Sequence, residues 1–167
     1  MGTHVVHMLL FALIIVAAFQ LTTTYAAAVG VESFVGGSSE NTAFGDYSVI
    51  GGGSGNTVHS EAEWATIAGG KDNDVEYSHA FIGGGWGNTA TGDVSTIVGG
   101  RGNVATRYAS AIGGGYVNSA GGYATIIGGG IMNVATGFGA GVLGGFGNVA
   151  SGYTSTIGGG QWNSATS

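Results

Sequence analysis

Asparagine recurs at positions 41, 56, 73, 88, 103, 118, 133, 148 and 163, always fifteen residues apart except for the seventeen-residue step from 56 to 73. A strict short period constrains a chain more than any other sequence feature, because each copy can bury its apolar side only against the next copy. The unit reads Gly-Gly-Gly-x-Gly-Asn-Thr/Val-Ala-Thr/Ser-Gly-x-x-Ser/Thr-x-Ile, most plainly in Gly83–Ile97. Nine copies cover residues 33–167, the first and last incomplete.

Each unit holds two short alternating runs, Asn-x-Ala/Val-x-Gly and Ser/Thr-x-Ile/Val. Alternation with a period of two marks a strand with one face inward and one outward. Isoleucine or valine closes the second run at 50, 67, 82, 97, 112, 127, 142 and 157, so that column is assigned to the interior. The Ala/Val two places after each Asn faces the same way, and so does the Asn itself, whose amide can bond turn backbone and the Asn of the next coil. The glycines fall where so small a coil must turn. The expected fold is therefore all-β: a β-solenoid of about nine 15-residue coils with two short strands per coil. At a strand spacing of ~4.8 Å the rod is about 40 Å long.

Composition agrees. Glycine supplies 37 of 167 residues, yet 44% of the chain is hydrophobic and the aliphatics recur at fixed intervals, unlike a disordered Gly-rich linker. There is no Cys, so disulfides do not hold the fold. Lys71, Arg101 and Arg107 are the whole cationic complement against nine acids, too few to follow a phosphate backbone, and no nucleic-acid partner is expected.

The first residues have another character. An apolar stretch from Val5 to Phe19 leads through Gln20–Thr24 to Tyr25-Ala26-Ala27-Ala28, the pattern of a secretory signal peptide with cleavage near Ala28. The stretch is short for a membrane span, which needs about twenty residues. The expected organisation is a signal peptide over residues 1–28 and a solenoid over 29–167, secreted and extracellular, with no membrane contact after cleavage.

Function on a solenoid sits at outward positions. The pairs flanking the inward Ala are Thr42/Phe44, Thr57/His59, Asp74/Glu76, Thr89/Thr91, Val104/Thr106, Ser119/Gly121, Val134/Thr136, Val149/Ser151 and Ser164/Thr166. From residue 89 onward all are small and uncharged, in two columns ~7 Å apart with ~4.8 Å between coils. Those spacings approximate water–water repeats on some planes of ice. All charged side chains lie between Glu32 and Arg107, and residues 108–167 carry none; a soluble surface ordinarily mixes both signs. The candidate ice-binding array is Thr89, Thr91, Val104, Thr106, Ser119, Val134, Thr136, Val149, Ser151, Ser164 and Thr166, with a gap at Gly121. An ordinary exposed sheet face also favours Thr and Val.

A second outward stripe is aromatic: Tyr108, Tyr123, Phe138 and Tyr153. Trp86, Tyr116, Ile131 and Phe146 share the position two before Asn. Such rings either cover turn glycines, form a self-association face, or stack on a sugar polymer. The two-residue insertion falls in His59-Ser60-Glu61-Ala62-Glu63-Trp64, close to Lys71-Asp72-Asn73-Asp74-Val75-Glu76 and His79. The acids do not repeat and no paired, concave constellation converges. A solvated bulge accounts for them, and no catalytic residue, cofactor or metal is expected.

The run Ile-Gly-Gly-Gly-x-x-Asn-x-Ala-x-Gly-x-x-Ser/Thr resembles the Gly-rich head repeats of trimeric autotransporter adhesins, although period and Asn differ. Asn133-Val-Ala-Thr-Gly and Asn148-Val-Ala-Ser-Gly resemble the coil of grass ice-recrystallisation-inhibition proteins. A signal peptide followed by Gly/Thr-rich coils is similar to the secreted antifreeze proteins of polar microalgae. The last two resemblances imply an ice surface as partner. The first implies an adhesive or structural solenoid, a homotrimer joined through its apolar or aromatic face.

Overall fold

A computed structural model describes residues 27–38 and 40–167 as a parallel β-solenoid. Nineteen two-residue strands alternate between two sheets. The first sheet stacks ten strands, from β1 (Ala27–Ala28) and β3 (Thr42–Ala43) through β9 (Thr89–Ala90) to β19 (Ser164–Ala165). The second stacks nine, from β2 (Phe34–Val35) through β10 (Thr96–Ile97) to β18 (Thr156–Ile157). All pairings are parallel, and Thr89↔Val104 and Thr96↔Ala111 show the fifteen-residue step. The fold class and the two strands per coil are those expected from the repeat.

The interior has the expected columns. Ile50, Ile67, Ile82, Ile97, Ile112 and Ile127 are fully buried, and they face the buried Ala43, Val58, Val75, Ala90, Ala105, Ala120, Ala135 and Ala150. Burying one Ile side chain contributes about 1.5–3 kcal/mol per coil. A second inward column holds Ser48, Ala65, Ala80, Ser95, Ser110, Thr125 and Ala140, all buried. Ser48, Ser110 and Thr125 donate their hydroxyls to the carbonyl three residues earlier, at 2.6, 2.7 and 2.9 Å.

Three features were hidden in the sequence. The repeat becomes recognisable near residue 33, yet Ala27–Ala28 already pairs with Thr42–Ala43. Removal of a leader after Ala28 would detach this strand, whereas removal ahead of Ala27 would leave it; the rest of the expected signal segment, 1–26, lies outside the described residues. Second, a third column of single parallel bridges links Ser54, Lys71, Trp86, Arg101, Tyr116, Ile131, Phe146 and Gln161, so each coil is stitched on a third side.

The third concerns the corners. Glycine serves the left-handed backbone at Gly85, Gly100 and Gly115 (φ +94°, +91° and +94°), but the other corners, glycine at Gly87, Gly102 and Gly139, also recruit Tyr47, Trp64, Val94, Val117, Met132, Thr154 and Trp162 at φ of 51–60°. Side chains with a Cβ pay about 1–2 kcal/mol there. Whatever residue stands there, these corners share one hydrogen-bond pattern. Most strand N–H groups donate to the following coil, as Thr96 N does to Ser110 O at 2.9 Å. The left-handed residue turns its N–H round to the preceding one, as Val94 N does to Ser78 O at 3.0 Å.

A β-carbon added at Gly100 would lie 2.2 Å from Gly115 O. We therefore expect Gly100→Ala to destabilise by about 2 kcal/mol or more. Val94→Gly, which relieves a strained corner, should stabilise by about 0.5–1 kcal/mol. Urea unfolding of both variants checks the opposite signs.

Candidate functional site

The outer face of the first sheet carries the predicted array, and strand register fixes its geometry. Thr89, Val104, Ser119, Val134, Val149 and Ser164 pair in succession as one column. The second column is equally regular: Thr91, Thr106, Gly121, Thr136 and Ser151 each donate their N–H to the carbonyl fourteen residues ahead, at 2.8–3.0 Å. The structure thus brings all eleven candidates onto one face. Thr89, Thr91, Val104, Thr106, Ser119, Val134 and Val149 are half-buried between their neighbours, and Thr136, Ser151, Ser164 and Thr166 are exposed. The β-branched Thr and Val of these columns, packed coil against coil, have little rotamer freedom, so their methyl and hydroxyl groups stand in fixed places.

The other two outer ladders are not level. The second sheet presents Val49, Thr66, Phe81, Thr96, Ala111, Ile126, Gly141 and Thr156 in succession, so large side chains at Phe81 and Ile126 stand beside small ones at Ala111 and Gly141. The bridge column mixes charge with bulk. Arg101 Cζ lies 3.9 Å from the Trp86 ring centroid and 5.7 Å from that of Tyr116, and Trp86 Nε1 donates to Asp72 at 3.2 Å.

The aromatic stripe Tyr108, Tyr123, Phe138 and Tyr153 runs along the corner beside the array and is exposed. Phe138 and Tyr153 stack on each other, centroids 5.3 Å apart and planes 8° apart. Each ring therefore covers one face of the other, and the stack runs along the rod axis.

The insertion is a bulge, as expected. The two extra residues lie between β5 (Thr57–Val58) and β6 (Thr66–Ile67), and register resumes beyond them. His59 Nε2 meets Asp74 Oδ1 at 2.9 Å across adjacent coils. Ser60 donates to Glu61 at 2.8 Å and, with backbone N–H, holds that carboxyl below its ordinary range. His59, Glu61, Glu76 and Tyr77 line a shallow depression of about 210 Å³. Among the described residues no three His, Asp or Glu side chains converge as a metal would require. This charged patch ends where the uncharged array begins, so it borders the face instead of interrupting it.

No protein-family model matches the chain, and no curated protein matches it.

The gap at Gly121 is open. Its φ is not left-handed, and an added β-carbon would meet Thr136 Cγ2 at 3.5 Å and Thr106 Oγ1 at 3.9 Å, ordinary contact distances. Gly121→Thr should therefore complete the column and stabilise by about 0.5–1 kcal/mol through strand preference and a less flexible unfolded chain. A lower melting temperature in this variant would show that the column has no room there.

Proposed function

We propose that this is a secreted, non-catalytic protein that adsorbs to ice through the Thr/Val/Ser face of its first sheet. The observation that supports this reading is the contrast among the three outer ladders: one keeps small Thr, Val and Ser side chains over six coils, whereas the second sheet mixes Phe81 and Ile126 with Ala111 and Gly141 and the bridge column carries charge and large rings. A growing crystal is an extended periodic surface, and a rigid face with a fixed pitch can match it at many points at once. Half-buried Thr and Val supply methyls that favour ordered water around them and hydroxyls that anchor it. Each contact is weak, and a rigid array makes them additive because little freedom is lost on adsorption. Secretion is part of the proposal and rests on the apolar leader.

A second reading, an adhesive or structural solenoid that self-associates, is favoured by exposed apolar residues away from the array. Tyr116, Val117, Ile131, Met132 and Trp162 are all 42–63% exposed. Under that reading the mature protein sediments as a stable trimer. Under ours it sediments as a monomer with the Thr face free.

The direct test is Thr91→Tyr with Thr106→Tyr, which raises two rings out of the level face while leaving the backbone ladder intact. Nanolitre osmometry should show thermal hysteresis and faceted crystals for the native protein. The double variant should lose at least nine-tenths of the hysteresis with unchanged circular dichroism. Undiminished hysteresis would place ice binding on another face or remove it from the protein.

A further inference from the structure

One corner position breaks the repeat twice, and the two breaks face each other. The residue two places after the inward Ala/Val is glycine at Gly30, Gly45, Gly92, Gly122, Gly137 and Gly152, Ala62 takes that place in the coil with the insertion, and Ser167 holds it at the end; Tyr77 and Arg107 alone put a long side chain there. Strand register places Tyr77 in the coil before Gly92 and Arg107 in the coil after it. Two long side chains about two coil spacings apart, ~10 Å, therefore stand on either side of a glycine. Gly92 is buried, and a β-carbon there would lie 2.2 Å from Arg107 O. The result is a notch of about 370 Å³, within the range of small-molecule sites.

The lining has a definite chemistry. Tyr77 and Tyr108 are 49% and 54% exposed and supply apolar ring surface. Glu76 and Asp93 bring two carboxylates that accept hydrogen bonds, and Arg107 brings donors. Thr91 and Thr106 contribute hydroxyls that do both. Arg107 Cζ sits 5.6 Å from the Tyr123 ring centroid, which holds the guanidinium against the wall. An anionic ligand would confront two carboxylates. A bare cation would find no third ligand and would meet Arg107. A neutral, hydroxyl-rich ring satisfies donors and acceptors together and lays its C–H faces on phenol rings.

We propose that this notch binds one or two residues of a neutral polysaccharide, giving the protein a carbohydrate site beside its level face. The site stands on the Tyr77–Gly92–Arg107 notch and does not depend on ice binding. A shallow notch open to solvent admits a residue within a polymer as readily as a chain end. Exceptions to a repeat are where a solenoid departs from what its own fold requires, and the fold here asks for glycine or alanine.

The test is affinity electrophoresis of the full protein in native gels containing mixed-linkage β-glucan, glucomannan or dextran, with polygalacturonate as an anionic comparison. The native protein should be retarded by at least one neutral polymer and not by polygalacturonate. Tyr77→Gly with Arg107→Gly restores the residue that most coils carry there, and should weaken retardation at least tenfold with unaltered circular dichroism. Asp93→Asn, at an exposed side chain, gives a second variant with the same expected loss should the first fold poorly. Absence of retardation in all three neutral gels, retardation by the anionic polymer alone, or equal retardation of native and variant proteins would each overturn the proposal.

Discussion

The structure depends on one column of side-chain amides. Asn103 shows the pattern: its backbone N–H and its Nδ2 both donate to Asn88 Oδ1, at 3.0 and 3.2 Å. Its Nδ2 also reaches Gly99 O at 3.0 Å and Gly115 O at 3.1 Å. Its own Oδ1 in turn accepts the N–H and Nδ2 of Asn118. Both lone pairs and both hydrogens are used, and that is the condition under which a fully buried amide strengthens a core instead of weakening it. Because every Asn from Asn56 onward bonds to its predecessor at the same place, the column sets both the rise and the angular position of the coils. Lateral order in the outer faces follows from that alignment.

The seventeen-residue coil shows how strong the constraint is. Asn73 still bonds Asn56, with N and Nδ2 each 3.1 Å from Oδ1, although two more residues separate them than in any other coil. The surplus is expelled to the corner at Ser60 and Glu61, where solvent receives it. Glycine has the same origin. With the coil pitch held at a strand spacing, Gly85, Gly100 and Gly115 approach the backbone of the next coil too closely for a β-carbon. Val94 and Val117 hold left-handed corners with the same reversed N–H bond that Gly139 and Gly102 make at the equivalent places.

This hierarchy explains what could be read without a structure. Asn, Ile/Val and Ala/Val mark the interior because they recur at fixed places with a spacing of two, and their alternation assigns the outward columns. The bridge column of Lys71, Trp86, Arg101 and Tyr116 shares no residue type, since its pairing is made by backbone alone; side-chain patterns are silent about it. The left-handed corner at Trp64 and His79 was hidden because residue type varies freely along it, whereas the corner before each Asn shows itself by Gly55, Gly87, Gly102 and Gly147. Ala27–Ala28 lacked the Asn and glycine run that identify later coils. The array from Thr89 to Thr166 was legible as geometry, whereas the Tyr77–Arg107 notch needed the coil register that brings its walls either side of Gly92.

The two proposed surfaces therefore draw on one scaffold in opposite ways. The level face uses the regularity of the Asn column, and the notch uses two departures from the repeat that the column is rigid enough to carry. Residue-resolved hydrogen exchange tests that rigidity most directly. If stacked amides hold the coils, the backbone N–H groups of Asn73, Asn88, Asn103 and Asn118 exchange only through global unfolding, and their side-chain amides are protected with them. Exchange of those side-chain amides at the rate of free asparagine would contradict the account, because the column would then not be what aligns the coils.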